Sequence, residues 1–193
     1  IAPTQAAREA AGPHVEIMLD VNCPWSVEEA VGMAGQLRPF GLRWLEEPVW
    51  PPEDYTGLAT VRARGGIRVA AGENAATLHQ FKRLLEARAV DFVQPSPTKM
   101  GGITELRKVF ALAAPHNVTV MPHTFYEGPG LLAGIHVNAA VGRDSLVEWR
   151  YFDLEARLYG DAIVPKDGAI ALPEGPGLGL EPDPDVIRRY RVE

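Results

Sequence analysis

Short apolar runs alternate along this chain with longer segments in which apolar positions recur every three or four residues. The runs are VEIMLDVN (15–22), LRWLEEPV (42–49), IRVAAGEN (67–74), VDFVQPSP (90–97), VTVMPHT (118–124) and LVEWRY (146–151). Each is nearly continuous in its apolar part, as a parallel strand covered on both faces requires, and each turns polar at its C-terminal end. Between them, 26–38 opens with Ser26-x-x-Glu29 and 77–88 with Thr77-x-x-Gln80. Both are capping boxes, in which side chains satisfy the free N–H groups of a helix start. Residues 102–114 place Ile103, Leu106, Val109, Phe110 and Ala113 at helical spacing, and 54–64 is a weaker helix. The segment 129–141 is apolar nearly all round, which predicts a buried helix.

Strand–helix alternation with short links specifies an α/β fold with a parallel sheet. Polar residues then fall in register. Asp20, Glu46, Glu73, Ser96, His123 and Glu148 close successive runs at steps of 26, 27, 23, 27 and 25 residues. In a (β/α)8 barrel such positions converge on the C-terminal mouth. In an open doubly wound sheet they would spread along an edge, and the chain has no G-x-G-x-x-G or P-loop to support that alternative.

Three carboxylates from consecutive strand ends, Asp20, Glu46 and Glu73, repel one another unless a divalent cation neutralises them. All-oxygen ligation with positions left for water or substrate suits Mg²⁺ better than Zn²⁺. His123 lies in the same register and has the chemistry of a general acid or base beside a metal-bound carboxylate. Glu148 can exchange a hydrogen bond with a substrate oxygen. The plainer alternative for each residue is an ordinary loop ion pair or a hydrogen-bonded loop histidine, and for Glu148 alone the two readings are equal.

The succession MLDVN, WLEEP, AGEN, KMGG, the strand-end histidine and VEW resembles the mandelate racemase and muconate lactonizing enzyme branch of the enolase superfamily, from about residue 4 to the C-terminus. The resemblance implies a partial (β/α)8 barrel containing strands three to eight. It implies Asp20, Glu46 and Glu73 as Mg²⁺ ligands, His123 as the catalytic histidine, and Asn22 and Glu148 as residues that bind a small-molecule carboxylate substrate. The step common to that family is removal of the proton alpha to a carboxylate, through a metal-stabilised enediolate. Acid-sugar dehydration is the first expectation for the overall reaction. Racemisation or epimerisation is the second, and a barrel fragment without activity of its own the third.

Two departures bear on these expectations. The sixth strand of the family ends in Asp or Lys, and Ser96 stands there; it can hydrogen-bond an imidazole but supplies no charge. That weighs against the lactonizing type of cycloisomerase and removes the usual His–Asp pair. Lys99 matches the K-x-G-G lysine, out of register with a catalytic base, and reads as a loop–helix junction residue. The chain is also short for a barrel of about 250 residues. Strands one and two, their K-x-K pair and the capping domain are expected in a preceding part of the same polypeptide. Residues 1–151 then form the barrel portion, and the Gly/Pro-rich 152–193 a tail packing back toward the cap.

Composition adds exclusions. Of 193 residues, 46% are hydrophobic and 23% charged, the profile of a globular domain. A net charge of −6 argues against a nucleic-acid binder, which would need a basic face. A single cysteine, Cys23, excludes a disulfide framework and reads as an inert thiol near the first strand end. No apolar run reaches the roughly 18 residues of a membrane span, and the opening IAPTQAAREA, without a basic stretch followed by an apolar core, does not read as a signal peptide. The expected setting is the cytoplasm, and exposed barrel edges point to a homo-oligomer.

Overall fold

A computed structural model describes residues 1–142 and 144–192. The elements alternate as helix α1 (Ala2–Ala11), strand β1 (Met18–Asp20), α2 (Val27–Leu37), β2 (Trp44–Glu46), α3 (Tyr55–Arg64), β3 (Val69–Ala71), α4 (Leu78–Glu86), β4 (Phe92–Val93), α5 (Ile103–Ala113), β5 (Thr119–Val120), α6 (Pro129–Val141) and α7 (Pro184–Tyr190). The five strands form one parallel sheet in sequence order. Asp20 lies opposite Glu46, and Glu46 opposite Ala70. This is the βα progression of a barrel wall.

Both capping boxes form. The Ser26 hydroxyl accepts from Glu29 N while Glu29 accepts from Ser26 N, and Thr77 and Gln80 repeat the pattern. Asp54 caps α3 by accepting from Gly57 N at 2.8 Å. The helices end within one or two residues of their predicted limits because these caps are local chemistry.

The sheet separates two cores. On the helix-facing side, Val49, Leu58, Val69, Phe81, Leu84, Val93, Leu106, Val109 and Val120 pack together. On the other face, Trp44, Ala70, Phe92 and Met121 form a smaller layer, with Met18 against it. Strand alternation assigns Leu45 and Trp44 to opposite sides, so Glu46 shares a face with Trp44. Helix α6 is buried along most of its length, as its all-round apolarity requires. Gly130 and Gly134 let it approach Thr98 and Thr124 so closely that no side chain would fit at either position.

The sixth expected strand does not form. Residues 146–150 make no ladder, and side chains dock the segment instead. Asn138 Nδ2 donates to Leu146 O at 3.0 Å, and the Thr124 hydroxyl donates to Glu148 O at 3.1 Å and accepts from Glu148 N at 2.8 Å. Those bonds occupy groups that a ladder would use.

Residues 152–183 are mostly irregular and cover α6. Tyr159 and Ile163, with Ile170, Leu178 and Leu180, pack on Leu131, Leu132 and Ile135. His136 Nε2 meets Leu178 O at 3.0 Å. No helix among the described residues is long and apolar enough to cross a membrane.

Candidate active site

The polar residues predicted to share a register do collect at the C-terminal end of the sheet, though only Asp20 and Glu46 are last residues of strands. Glu73 lies two residues beyond β3, and Ser96 and His123 lie three beyond β4 and β5. The ladders stop early for a local reason at β5, where Pro122 has no N–H to offer. Beyond β3, Gly72 turns the chain at φ 131°, and a Cβ there would press on Gln94 N and the Phe81 ring. Three non-glycine residues on the first two of these loops adopt left-handed backbone: Asn22 (φ 53°), Cys23 (φ 54°) and Glu47 (φ 44°). Conformations of that kind cost about 1 kcal/mol or more each and persist where surroundings hold them.

Asp20 is engaged by Asn22, whose backbone N and side-chain Nδ2 each donate to a carboxylate oxygen at 2.9 Å. Burial raises the Asp20 pKa, and the charges of Glu73 and Glu148 raise it further against those hydrogen bonds. Glu46 is 7% exposed and accepts from Trp44 Nε1 at 3.0 Å. Burial pushes its pKa up to about 7, with Asp20 and Glu148 adding and the Gln94 amide and Trp44 indole opposing. These two carboxylates, Glu148 and the buried Gln94 line a cavity of about 360 Å³ walled by Trp44, Met18 and Met121. The Gln94 Oε1 has no hydrogen-bond partner.

Glu73 takes two neighbours. Lys99 Nζ lies 3.4 Å from its Oε1, and His123 Nδ1 lies 3.0 Å from its Oε2. The same Nδ1 lies 3.1 Å from Glu148 Oε2, so the imidazole sits between two carboxylates. Neither approach is a well-aligned hydrogen bond, and Nδ1 stays without one while buried. Burial pulls the His123 pKa down, but Glu148 and Glu73 outweigh it and the net shift is upward. Lys99 thus reaches the rim as well as serving the β4–α5 junction, beyond what its register implied.

Ser96 is fully buried and does not touch His123. Its hydroxyl bonds to the Tyr126 hydroxyl and to Thr98 Oγ1 at 3.0 Å, and accepts from Lys99 N at 3.2 Å. The Tyr126 ring meets the His123 ring edge-on at 5.3 Å between centroids. The charge that Ser96 cannot supply comes instead from Glu73 and Glu148.

Tyr126, Gln94, Trp44 and Glu47 were not singled out by sequence reasoning. Trp44 and Gln94 were within reach of it, because strand alternation from Glu46 and the register of the VDFVQ run place them on the inner face. Cys23 Sγ donates to Glu47 Oε2 at 3.3 Å, and burial followed by the Glu47 charge pushes its pKa to about 12. Such a thiol is inert, as its sequence reading holds.

Among the described residues, no three His, Cys, Asp or Glu side chains converge closely enough to hold a metal ion. Asp20, Glu46 and Glu73 share the rim while each faces a protein neighbour. The donor set nonetheless suits a hard cation. It consists of carboxylates on successive βα units, two of them with pKa values raised by burial and by neighbouring carboxylates (Glu73 and Glu148 on Asp20, Asp20 and Glu148 on Glu46), and a partnerless amide oxygen on the same cavity wall. An open depression of about 450 Å³ at the opposite end of the sheet holds the Arg62–Asp91 ion pair (2.8 Å) and carries no comparable chemistry.

Known proteins agree with this architecture. Residues 1–186 match the family described as enolase C-terminal domain-like. Over 97% of its length the chain is 33% identical to D-galactarolactone cycloisomerase from Agrobacterium fabrum, of which it covers 52%. Over 98% it is 31% identical to D-xylonate dehydratase from Haloferax volcanii, covering 46%. A racemase from Streptomyces coelicolor solved with bound magnesium superposes with a TM-score of 0.84 at 31% identity, over 99% of this chain and 51% of that one. The chain spans about half the length of the curated relatives it matches. By that match and by its βα rim, the chain belongs to the enolase C-terminal domain-like family, in the mandelate racemase and muconate lactonizing enzyme branch.

Proposed function

We propose that this chain is the barrel portion, from the third strand to the unladdered segment 146–150 in the place of the eighth, of a Mg²⁺-dependent lyase that dehydrates an acid sugar. The observation that carries the reading is the placement of His123 between Glu73 and Glu148, on the same rim as Asp20 and Glu46. Asp20, Glu46 and Glu73 would hold the cation. Bound Mg²⁺ supplies positive charge to the substrate carboxylate, which makes the neighbouring C–H bond acidic.

The protein's own groups do the rest. With Nδ1 facing two carboxylates, the neutral imidazole keeps its proton there and leaves the Nε2 lone pair free to accept the alpha proton. The two carboxylates then stabilise the imidazolium that forms. Loss of the beta hydroxyl as water needs a proton, and His123 holds one after the first step. Asn22 and Glu148 orient the substrate oxygens, and Trp44, Met18 and Met121 keep the inner wall dry. The substrate is a small carboxylate. The remaining strands, the cap and the cap-facing role of 152–193 belong to the same polypeptide in this reading, in a cytoplasmic homo-oligomer.

A second reading has support of its own. The relative at 33% identity is named a lactone cycloisomerase, so ring opening or closing of a sugar acid derivative stands beside dehydration despite Ser96. One experiment separates the two. The complete polypeptide is incubated with Mg²⁺, a panel of acid sugars and their lactones, in D₂O. A 2-keto acid product, with deuterium at the carbon beta to the carboxylate where the hydroxyl was lost, is expected for dehydration. An isomer of unchanged mass formula indicates cycloisomerisation or epimerisation. Absence of both exchange and product across the panel would refute the enzymatic reading.

A further inference from the structure

One buried carboxylate at the rim has no place in the chemistry above. Glu47 follows Glu46 and is 3% exposed, yet no cationic side chain among the described residues pairs with it. Its partners come from the loops on either side. Cys23 N donates to Glu47 O at 2.6 Å and Cys23 Sγ donates to Oε2. Asn74 Nδ2 donates to both carboxylate oxygens, at 3.1 and 2.8 Å. Cys23 and Asn74 flank the rim residues Asn22 and Glu73 in sequence. Asn74 Oδ1 in turn lies 3.5 Å from the Lys99 ammonium, which also reaches Glu73. The left-handed backbone at 47 makes this possible: in continued strand geometry residue 47 would simply alternate to the helix-facing side.

We infer that Glu47 is a positioning residue for the cation rim, a buried strut that ties the loops after β1, β2 and β3 together through Cys23 and Asn74 and so fixes the carboxylates of Asp20, Glu46 and Glu73 relative to one another. The inference rests on the reading of those three as cation ligands. With no cationic side chain against it, the place of this carboxylate is set by the Asn74 amide and the Cys23 thiol, one from each neighbouring rim loop. Groups that orient ligands in this way alter metal affinity by about 10–100-fold when removed.

The test uses the complete polypeptide, with Mn²⁺ uptake followed by electron paramagnetic resonance and the melting temperature of the metal-free protein measured in parallel. Glu47→Ala is expected to weaken Mn²⁺ binding by about tenfold or more. Glu47→Gln keeps a carbonyl oxygen for Asn74 Nδ2 and is expected to recover most of that loss. A residue that only supports the fold would lower the melting temperature in Glu47→Ala and leave affinity unchanged, and that result overturns the inference. Should Glu47→Ala not fold, Asn74→Ala breaks the same contact from the other side; unaltered affinity there overturns it too. If the unsubstituted protein takes up no Mn²⁺, the ligand reading falls and this inference with it. Uptake that is intact and insensitive to both substitutions sinks this inference alone.

Discussion

The two sides of the rim are held by different means. On one side, Asp20 and Glu46 end strands that are locked in register, and Glu73 follows a third. On the other, Glu148 belongs to no strand, and its place beside His123 depends on Thr124, whose hydroxyl exchanges bonds with the Glu148 backbone and whose backbone N donates to Glu148 Oε2 at 3.2 Å. Backbone pairing fixes the first group through many small contributions. A single hydroxyl, itself wholly buried, fixes much of the second. The strand register that carries the carboxylate trio should therefore tolerate side-chain changes away from Glu47 and Asn74, whereas the His123–Glu148 pair should be sensitive to a single one.

The largest effect falls on the second side. His123→Asn in the complete polypeptide is expected to lower kcat by about 10²–10⁴-fold, the usual worth of a positioned acid–base group, while Mg²⁺ binding persists. Turnover equal to that of the unsubstituted protein would remove His123 from the chemistry. Next comes Thr124→Val, which keeps the shape and deletes the hydroxyl that exchanges two bonds with the Glu148 backbone. It should cost about 1–3 kcal/mol in urea unfolding and reduce kcat, with Thr124→Ser restoring much of both. Equal loss in the serine variant would mean that the methyl group, not the hydroxyl, holds Glu148. The smallest effect belongs to the first side. Ser26→Ala removes the α2 cap and should cost about 1 kcal/mol without altering kcat. A marked fall in kcat from that distant cap would erase the contrast between the two sides.

Much of this division was legible in the sequence, for identifiable reasons. Helix limits were readable because a capping box involves residues three apart. The rim was readable because each βα unit returns a polar residue to the same end at nearly constant spacing. What escaped depends on contacts between distant units. LVEWRY has the composition of a strand, but the bonds from Asn138 and Thr124 that displace its ladder arise about 8 and 24 residues upstream. Glu47 escaped because strand alternation directs the residue after Glu46 away from the rim. Its positive φ, which no local pattern announced, brings it back. Likewise the dyad read as missing at Ser96 was sought in one register position, whereas the structure brings charge to His123 from Glu73 and Glu148, which lie 50 and 25 residues away.

Strand order that follows sequence order has a consequence for how the chain is made. Among the five strands, each βα unit pairs with the unit synthesised just before it, about 25 residues upstream, so each pairing closes the loop of a single unit. Parallel pairing is slower than helix formation, but this order lets the wall extend from β1 to β5 one unit at a time. A lesion in one unit would then stall growth at that point, leaving the earlier units paired.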